Sequence, residues 1–130
     1  NHRKNLTEML MLKDNHIDAA GSITAAVAKL RAHYAPCPPI EVECRTLDHV
    51  REAVAAKADR IMMDNMDGQR LSEALALVPR SIETEVSGGV RLDTIRALAL
   101  TEPRRPDFIS VGRLTHAAVS ADFSMTLLAV

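Results

Sequence analysis

Two hydrophobic periods take turns along this chain, about two residues in some stretches and about 3.6 in others. Met9-Leu10-Met11-Leu12 is a short apolar run that ends at Lys13-Asp14-Asn15-His16. Ser22 then stands as the N-cap of a predicted helix whose Ile23, Ala26, Val27, Leu30 and Tyr34 fall on one face. The Pro36-Cys37-Pro38-Pro39 turn closes that unit. Ile40-Glu41-Val42-Glu43-Cys44 has the period of a strand, and Thr46 caps a helix carrying Leu47, Val50 and Val54. Arg60-Ile61-Met62-Met63-Asp64 predicts a third strand, followed by a helix with Leu71, Ala74, Leu75 and Val78 in register. Ile82-Glu83-Thr84-Glu85-Val86-Ser87 predicts a fourth, then Gly88-Gly89 and a helix with Leu92, Ile95 and Ala99. Phe108-Ile109-Ser110-Val111-Gly112 is the fifth. Phe123, Met125 and Leu127 suggest a closing strand or an amphipathic tail.

Repeated strand-then-helix units imply parallel strands with helices packed outside. Two architectures fit: an open doubly wound sheet, or a segment of a (β/α)₈ barrel. Parity leans toward the barrel. Ile40, Val42 and Cys44 point one way and Glu41 and Glu43 the other; Ile82, Thr84 and Val86 against Glu83, Glu85 and Ser87 repeat the pattern. A strand covered by helices on both faces reads as continuously apolar, whereas these suit a barrel whose lumen holds a charged site. The expected fold is therefore α/β, a partial barrel of about five βα units. Five units are not eight, and closing a barrel with this chain alone would leave strand edges unpaired.

Composition narrows the function classes. The chain has 130 residues, enough for one domain, and is 47% hydrophobic and 25% charged, as soluble globular proteins are. A formal net charge of -1 and 2% aromatic residues supply neither the basic excess nor the stacking rings of a nucleic-acid reader. No apolar run approaches the roughly 20 residues needed to span a bilayer. Asn1-His2-Arg3-Lys4 has no apolar signal segment behind it, and without an initiator Met it reads as the middle of something longer. Cys37 and Cys44 make no zinc pattern and are expected to be reduced thiols in a cytoplasmic protein.

In a barrel the loops after the strands converge on one face, where reacting groups come from different strands. Here the strands end in Lys13, Glu43, Asp64, Ser87-Gly88-Gly89 and Gly112, with Thr115-His116 just beyond. Glycines let backbone approach a ligand closely, and amides at a following helix start favour anions. Ser87, Gly88, Gly89 and Gly112 are thus expected to line a phosphate cup, although each glycine could equally serve a tight turn. Glu43 and Asp64 on neighbouring strands form a mixed-sign cluster with Lys13. Two readings stand: a salt-bridge network, or a site for sugar hydroxyls and a hard cation such as Mg²⁺, which takes one or two carboxylates plus phosphate oxygens. Arg3 offers a bidentate fork for a carboxylate. His16 and His49 read as structural or surface residues, and the methionines as core filling.

The strings Asn1-His2-Arg3, Leu12-Lys13-Asp14-Asn15-His16, Glu41-Val42-Glu43, Met63-Asp64-Asn65, Ser87-Gly88-Gly89 and Ser110-Val111-Gly112-Arg113-Leu114-Thr115-His116 occur in this order. They resemble the C-terminal barrel region of the quinolinate phosphoribosyltransferase family, the carboxylating nicotinate-nucleotide pyrophosphorylases. The resemblance covers nearly the whole chain. A transport-associated family shares the fold, and the Lys-Asp-Asn-His string favours the quinolinate enzymes. The resemblance implies transfer of phosphoribosyl from phosphoribosyl pyrophosphate, with Mg²⁺, to the ring nitrogen of quinolinate, with decarboxylation to nicotinate mononucleotide. It implies that His2, Arg3 and Lys13 hold the quinolinate carboxylates and that Glu43 and Asp64 face the ribose hydroxyls and metal. Ser87, Gly88, Gly89 and Gly112 would line the phosphate site and His116 would close the substrate pocket. Lys13, Glu43 and Asp64 are the catalytic candidates. It further implies a homodimer or higher homo-oligomer, with the partner's N-terminal domain as a lid.

Two departures stand out. The family's N-terminal domain and its earlier barrel strands, which carry a Thr-Arg-Lys string, are absent from residues 1–130, so this chain is expected to be the C-terminal portion of a barrel domain and inactive alone. Glu102-Pro103-Arg104-Arg105-Pro106 also replaces a shorter Gly-containing turn, in a place where a loop should tolerate change. Two other functions remain open on the residues alone: a non-catalytic phosphate-binding module, or a different barrel enzyme acting on a phosphorylated sugar.

Overall fold

A computed structural model describes residue 5 and residues 7–116, the last without its side chain. The element order is β1 (Leu10–Leu12), α1 (Asp14–Ala20), α2 (Ile23–His33), β2 (Ile40–Cys44), α3 (Leu47–Ala55), β3 (Arg60–Asp64), α4 (Gly68–Leu77), β4 (Glu83–Ser87), α5 (Ile95–Ala99), β5 (Phe108–Ile109) and α6 (Arg113–His116). The strands form one sheet in the order β1-β2-β3-β4-β5, and every pairing is parallel. A doubly wound sheet reverses its strand order partway, and this one never does. With each connection right-handed, as such crossovers are, sequential order puts every covering helix on the same side. The sheet is singly wound, as a barrel wall is.

Parity decides what each face carries. Leu12, Ile40, Val42, Cys44, Ile61, Met63 and Val86 are buried in one core with Ile23, Val27, Val50, Leu71 and Leu75 from the helices. The opposite face carries Glu41 and Glu43 from β2, Arg60 and Met62 from β3, and Glu85 from β4, all buried. Its floor is an ion-paired layer: Arg60 donates through Nε and Nη2 to Glu83 Oε2, at 3.0 and 2.7 Å. The same guanidinium lies 3.5 Å from Glu85 and 4.0 Å above the Phe108 ring. Charged groups taken from water are tolerated when paired in this way.

The N-terminal ends of the strands repeat one device. Asp59, just before β3, accepts from the Ile40 amide at 2.8 Å and returns its own N–H to the Ile40 carbonyl at 2.9 Å. Asp107, just before β5, likewise accepts from the Thr84 amide at 2.8 Å and donates to the Thr84 carbonyl at 3.1 Å. Each aspartate satisfies a strand-end amide that would otherwise lack a partner.

Several sequence expectations change. Lys13-Asp14-Asn15-His16 opens an additional helix, α1: the Lys13 amide donates to His16 Nδ1 at 3.0 Å, and Gly21 ends the helix at φ 88°. Tyr34 leaves the predicted face of α2, because the helix has stopped and its backbone is extended there. Leu92 is 94% exposed, since the helix meant to bury it, α5, begins only at Ile95. Arg104 overturns the expectation of a tolerant turn. It is buried and donates to the carbonyls of Val78, Pro79 and Ile82 at 2.6, 2.9 and 2.8 Å, and to Asp107 at 2.9 Å. His2, Arg3, the His116 side chain, and Phe123, Met125 and Leu127 lie outside the described residues.

Candidate active site

Parallel strands without reversal bring all their C-terminal ends to one rim, and β1 to β3 place a charged cluster there. Lys13 follows β1, and its Nζ lies 3.8 Å from Glu43 Oε2. Glu43 is only 8% exposed, so its charge depends on partners. Arg45, two residues beyond Glu43, supplies the rest. Its Nη2 donates to Glu43 Oε1 at 3.1 Å, its Nη1 to Asp14 Oδ2 at 2.8 Å, and its Nε lies 3.4 Å from Asp64 Oδ2. Asp14 foremost, with Glu43 and Asp64, raises the Arg45 pKa. The Asp14 carboxyl is held below its ordinary value by the Asn15 amide first and by Arg45 next. The salt-bridge reading of Lys13, Glu43 and Asp64 is thus realised, with an arginine that sequence reasoning missed. Its signal was available: position 45 shares the parity of Glu41 and Glu43.

The second half of the rim is hollow. Ser87 at the end of β4, Gly88 and Gly89 after it, and Ser110 and Gly112 after β5 line a cavity of about 340 Å³. Arg91 and Arg113 complete its wall, two cations that sequence reasoning did not single out although each closely follows a glycine in these loops. Arg91 donates through Nε and Nη2, one edge of its guanidinium, to the two carboxylate oxygens of Asp93, which raises the Arg91 pKa. The halves meet at Asp64, which pairs in register with Ser87. Chemically, the hollow suits an anionic group approaching backbone, and the carboxylates beside it suit hydroxyls or developing positive charge. Cys44 takes no part: burial, then Glu43 and Glu52, push its thiol up to about 12. Cys37 and Cys44 are both free thiols.

Among the described residues, no group of three or more His, Cys, Asp or Glu side chains could hold a metal by itself. Glu43 and Asp64 are nevertheless hard oxygen donors on adjacent strands. They fit a Mg²⁺ ion that takes its remaining ligands from phosphate and water.

A singly wound parallel sheet with charged side chains and glycine loops gathered on one rim defines a partial α/β barrel. Sequence comparison is more specific. The family described as "Quinolinate phosphoribosyl transferase, C-terminal domain" matches residues 1–126, and the chain belongs to it. The chain is 43% identical over 125 residues to the "Probable nicotinate-nucleotide pyrophosphorylase [carboxylating]" of Bacillus subtilis, covering 96% of this chain and 42% of that protein. It is 39% identical over 131 residues to the rat "Nicotinate-nucleotide pyrophosphorylase [carboxylating]", covering 98% of this chain and 43% of that one. The solved structure of NadC from Streptococcus pyogenes superposes with a TM-score of 0.81 at 41% identity, over 97% of this chain and 43% of that chain. The chain therefore spans less than half the length of the relatives it matches.

Proposed function

We propose that this chain is the C-terminal portion of the barrel domain of a phosphoribosyltransferase that converts quinolinate and phosphoribosyl pyrophosphate to nicotinate mononucleotide, pyrophosphate and CO₂. The observation that carries the reading is the convergence of the Lys13–Glu43–Arg45–Asp64 cluster and the Ser87-Gly88-Gly89 and Gly112 cup on one rim.

The 5′-phosphate of the ribose sits in the cup, where glycines allow close approach to backbone amides and Arg91 and Arg113 flank the anion. Glu43 and Asp64 then face the ribose ring. As the bond from the anomeric carbon to pyrophosphate lengthens, positive charge grows on the sugar, and the carboxylates stabilise it. The ring nitrogen of quinolinate forms the new bond to that carbon, so no covalent nucleophile from the protein is required. The glycosylated nitrogen is cationic, so the electron pair left on the neighbouring ring carbon when its carboxylate departs as CO₂ is stabilised as an ylide, and a proton then bonds to that carbon. Lys13, half exposed at the end of β1, orients a carboxylate of the dianionic substrate, a task that His2 and Arg3 share in this reading. Glu43 and Asp64 would hold Mg²⁺, directly or through water, and such an ion would supply countercharge for pyrophosphate.

The rim as described is open, with Lys13 and Arg45 half in solvent. A homodimer or higher homo-oligomer of a longer polypeptide, closing this rim, completes the site. Two free thiols, and no helix among the described residues long and apolar enough to cross a membrane, support a cytoplasmic setting.

The test is a chimera of the rat relative in which this chain replaces the matched region. It should form nicotinate mononucleotide, and Lys13→Ala should lower kcat/KM by at least a hundredfold while its melting temperature stays within a few degrees. A cooperatively folded chimera that binds inorganic phosphate but ignores quinolinate would contradict the reading and favour a generic phosphate module.

A further inference from the structure

The Gly88–Gly89 backbone is a thin wall with empty space on both sides. In front is the cup of about 340 Å³; behind is a second cavity of about 200 Å³ lined by Asn65, Met66, Asp67, Gly88, Gly89, Thr94 and Leu98. Two glycines at φ 85° and 61° have no side chains to hold them in that shape, and glycine backbone is the most freely rotating of all. Something else must keep the wall in place for its amides to meet an anion without reorganising.

Asn65 is where such a brace can act. A β-carbon built on Gly88 would lie 2.5 Å from Asn65 Cγ, 2.6 Å from Oδ1 and 2.7 Å from Nδ2. The Asn65 carboxamide therefore lies flat on the α-carbon of Gly88, in the volume a side chain would need. On Gly89, the one atom such a carbon would approach within 4 Å, beyond its chain neighbours, is Asn65 Oδ1 at 3.7 Å. The Asn65 amide also donates to the Ser87 carbonyl at 3.0 Å. Its φ of 52° is left-handed, a conformation that asparagine visits far more readily than most residues and that turns the side chain out of the β3 line.

We propose that Asn65 is a positioning residue: its carboxamide braces the Gly88–Gly89 wall from behind and fixes the anion cup relative to Asp64, the preceding residue. The proposal rests on the phosphoribosyl reading for the identity of the anion, but the brace itself can be observed without one. Asn65 touches the wall and not the reacting atoms, so its contribution is preorganisation of the amides that do.

The experiment uses the 130-residue chain, with backbone NMR order parameters for Gly88 and Gly89 and calorimetric titration with ribose 5-phosphate. Asn65→Gly suits φ 52° and should melt within a few degrees of the parent. It should nevertheless drop the two glycines from the rigid range, near 0.85, toward the flexible one, below about 0.6. Asn65→Asp, which keeps the shape and tolerates the same backbone, should retain the order. Ribose 5-phosphate affinity should fall about tenfold in Asn65→Gly and at least tenfold in Gly88→Ala, whose methyl displaces the carboxamide. In Asn65→Gly with Gly88→Ala the losses should not multiply, leaving affinity within about threefold of Asn65→Gly alone. Unchanged order in Asn65→Gly, lost order in Asn65→Asp, or multiplied losses would overturn the brace. A parent chain with rigid glycines and no ribose 5-phosphate binding would sink the phosphate reading and leave the brace standing on its order parameters.

Discussion

Single residues show best what was legible and what was not. Lys13, Glu43, Asp64 and the glycines could be found because strand ends are marked by composition, and the rim gathers whatever stands there. Arg45 had only its parity with Glu41 and Glu43 to mark it, and Arg104 had no mark at all, because an arginine in a loop looks solvated until the fold supplies its partners. Arg104 gains three backbone carbonyls and Asp107, on segments up to 26 residues away. Removing a buried, charge-assisted donor takes that partner from all three carbonyls, of which Pro79's keeps the Ile82 amide at 3.0 Å. Arg104→Ala should therefore cost about 3 kcal/mol in urea unfolding of the chain. A cost below about 0.5 kcal/mol would show that the loop is indifferent to it.

Asp107 adds a pH signature. Burial pushes its carboxyl up, but the Thr84 hydroxyl and amide and the Arg104 guanidinium together outweigh burial and hold it below its ordinary value of 3.8. A folded pKa below the unfolded one contributes stability that is fully present above pH 3.8 and is lost as pH falls through the folded value. Asp107→Asn should lower stability at neutral pH and flatten the acid limb below about pH 4, as followed by urea midpoints across that range. An acid limb as steep as the parent's would remove Asp107 from the account.

At the scale of elements, caps and buried faces were read well because they are local. Ser22 Oγ accepts from the Ala25 amide at 3.0 Å, and Thr46 Oγ1 from the His49 amide at 3.1 Å, each starting the helix the sequence predicts. Ser22→Ala should cost about 1 kcal/mol by thermal unfolding, and Ser22→Gly only a few tenths. Equal costs for the two would point to a role other than capping. The missed helix α1 has no fully buried residue and only Ile17 and Ala20 packed against the core, too short an apolar stripe to announce it; its start is set by a histidine ring nitrogen instead. In α5 the error ran the other way: Leu92, Ile95 and Ala99 have helical spacing, yet Arg91-Leu92-Asp93 is held outside the helix by the Arg91–Asp93 pair and by the Thr94 hydroxyl, which accepts from the Arg91 amide at 3.0 Å. Periodicity cannot foresee a side chain that takes the backbone's place.

For the whole molecule, strand parity foretold the barrel wall, because a sheet with one charged face must turn that face away from its helices. The sheet has outer edges at β1 and β5 among the described residues. With those two edges open, the five described strands do not close a barrel by themselves. The 130-residue polypeptide should therefore give no measurable nicotinate mononucleotide from quinolinate and phosphoribosyl pyrophosphate. Steady turnover by the purified chain would show that the described rim suffices.

Ribose 5-phosphate carries both groups that the proposed function assigns to the rim, one for each half. A crystal structure of the chain with that compound should show the phosphate against Gly88, Gly89 and Gly112 and the ring hydroxyls against Glu43 and Asp64. Density for the sugar phosphate anywhere else on the molecule, with the rim empty, would contradict the shared pocket and the activity derived from it.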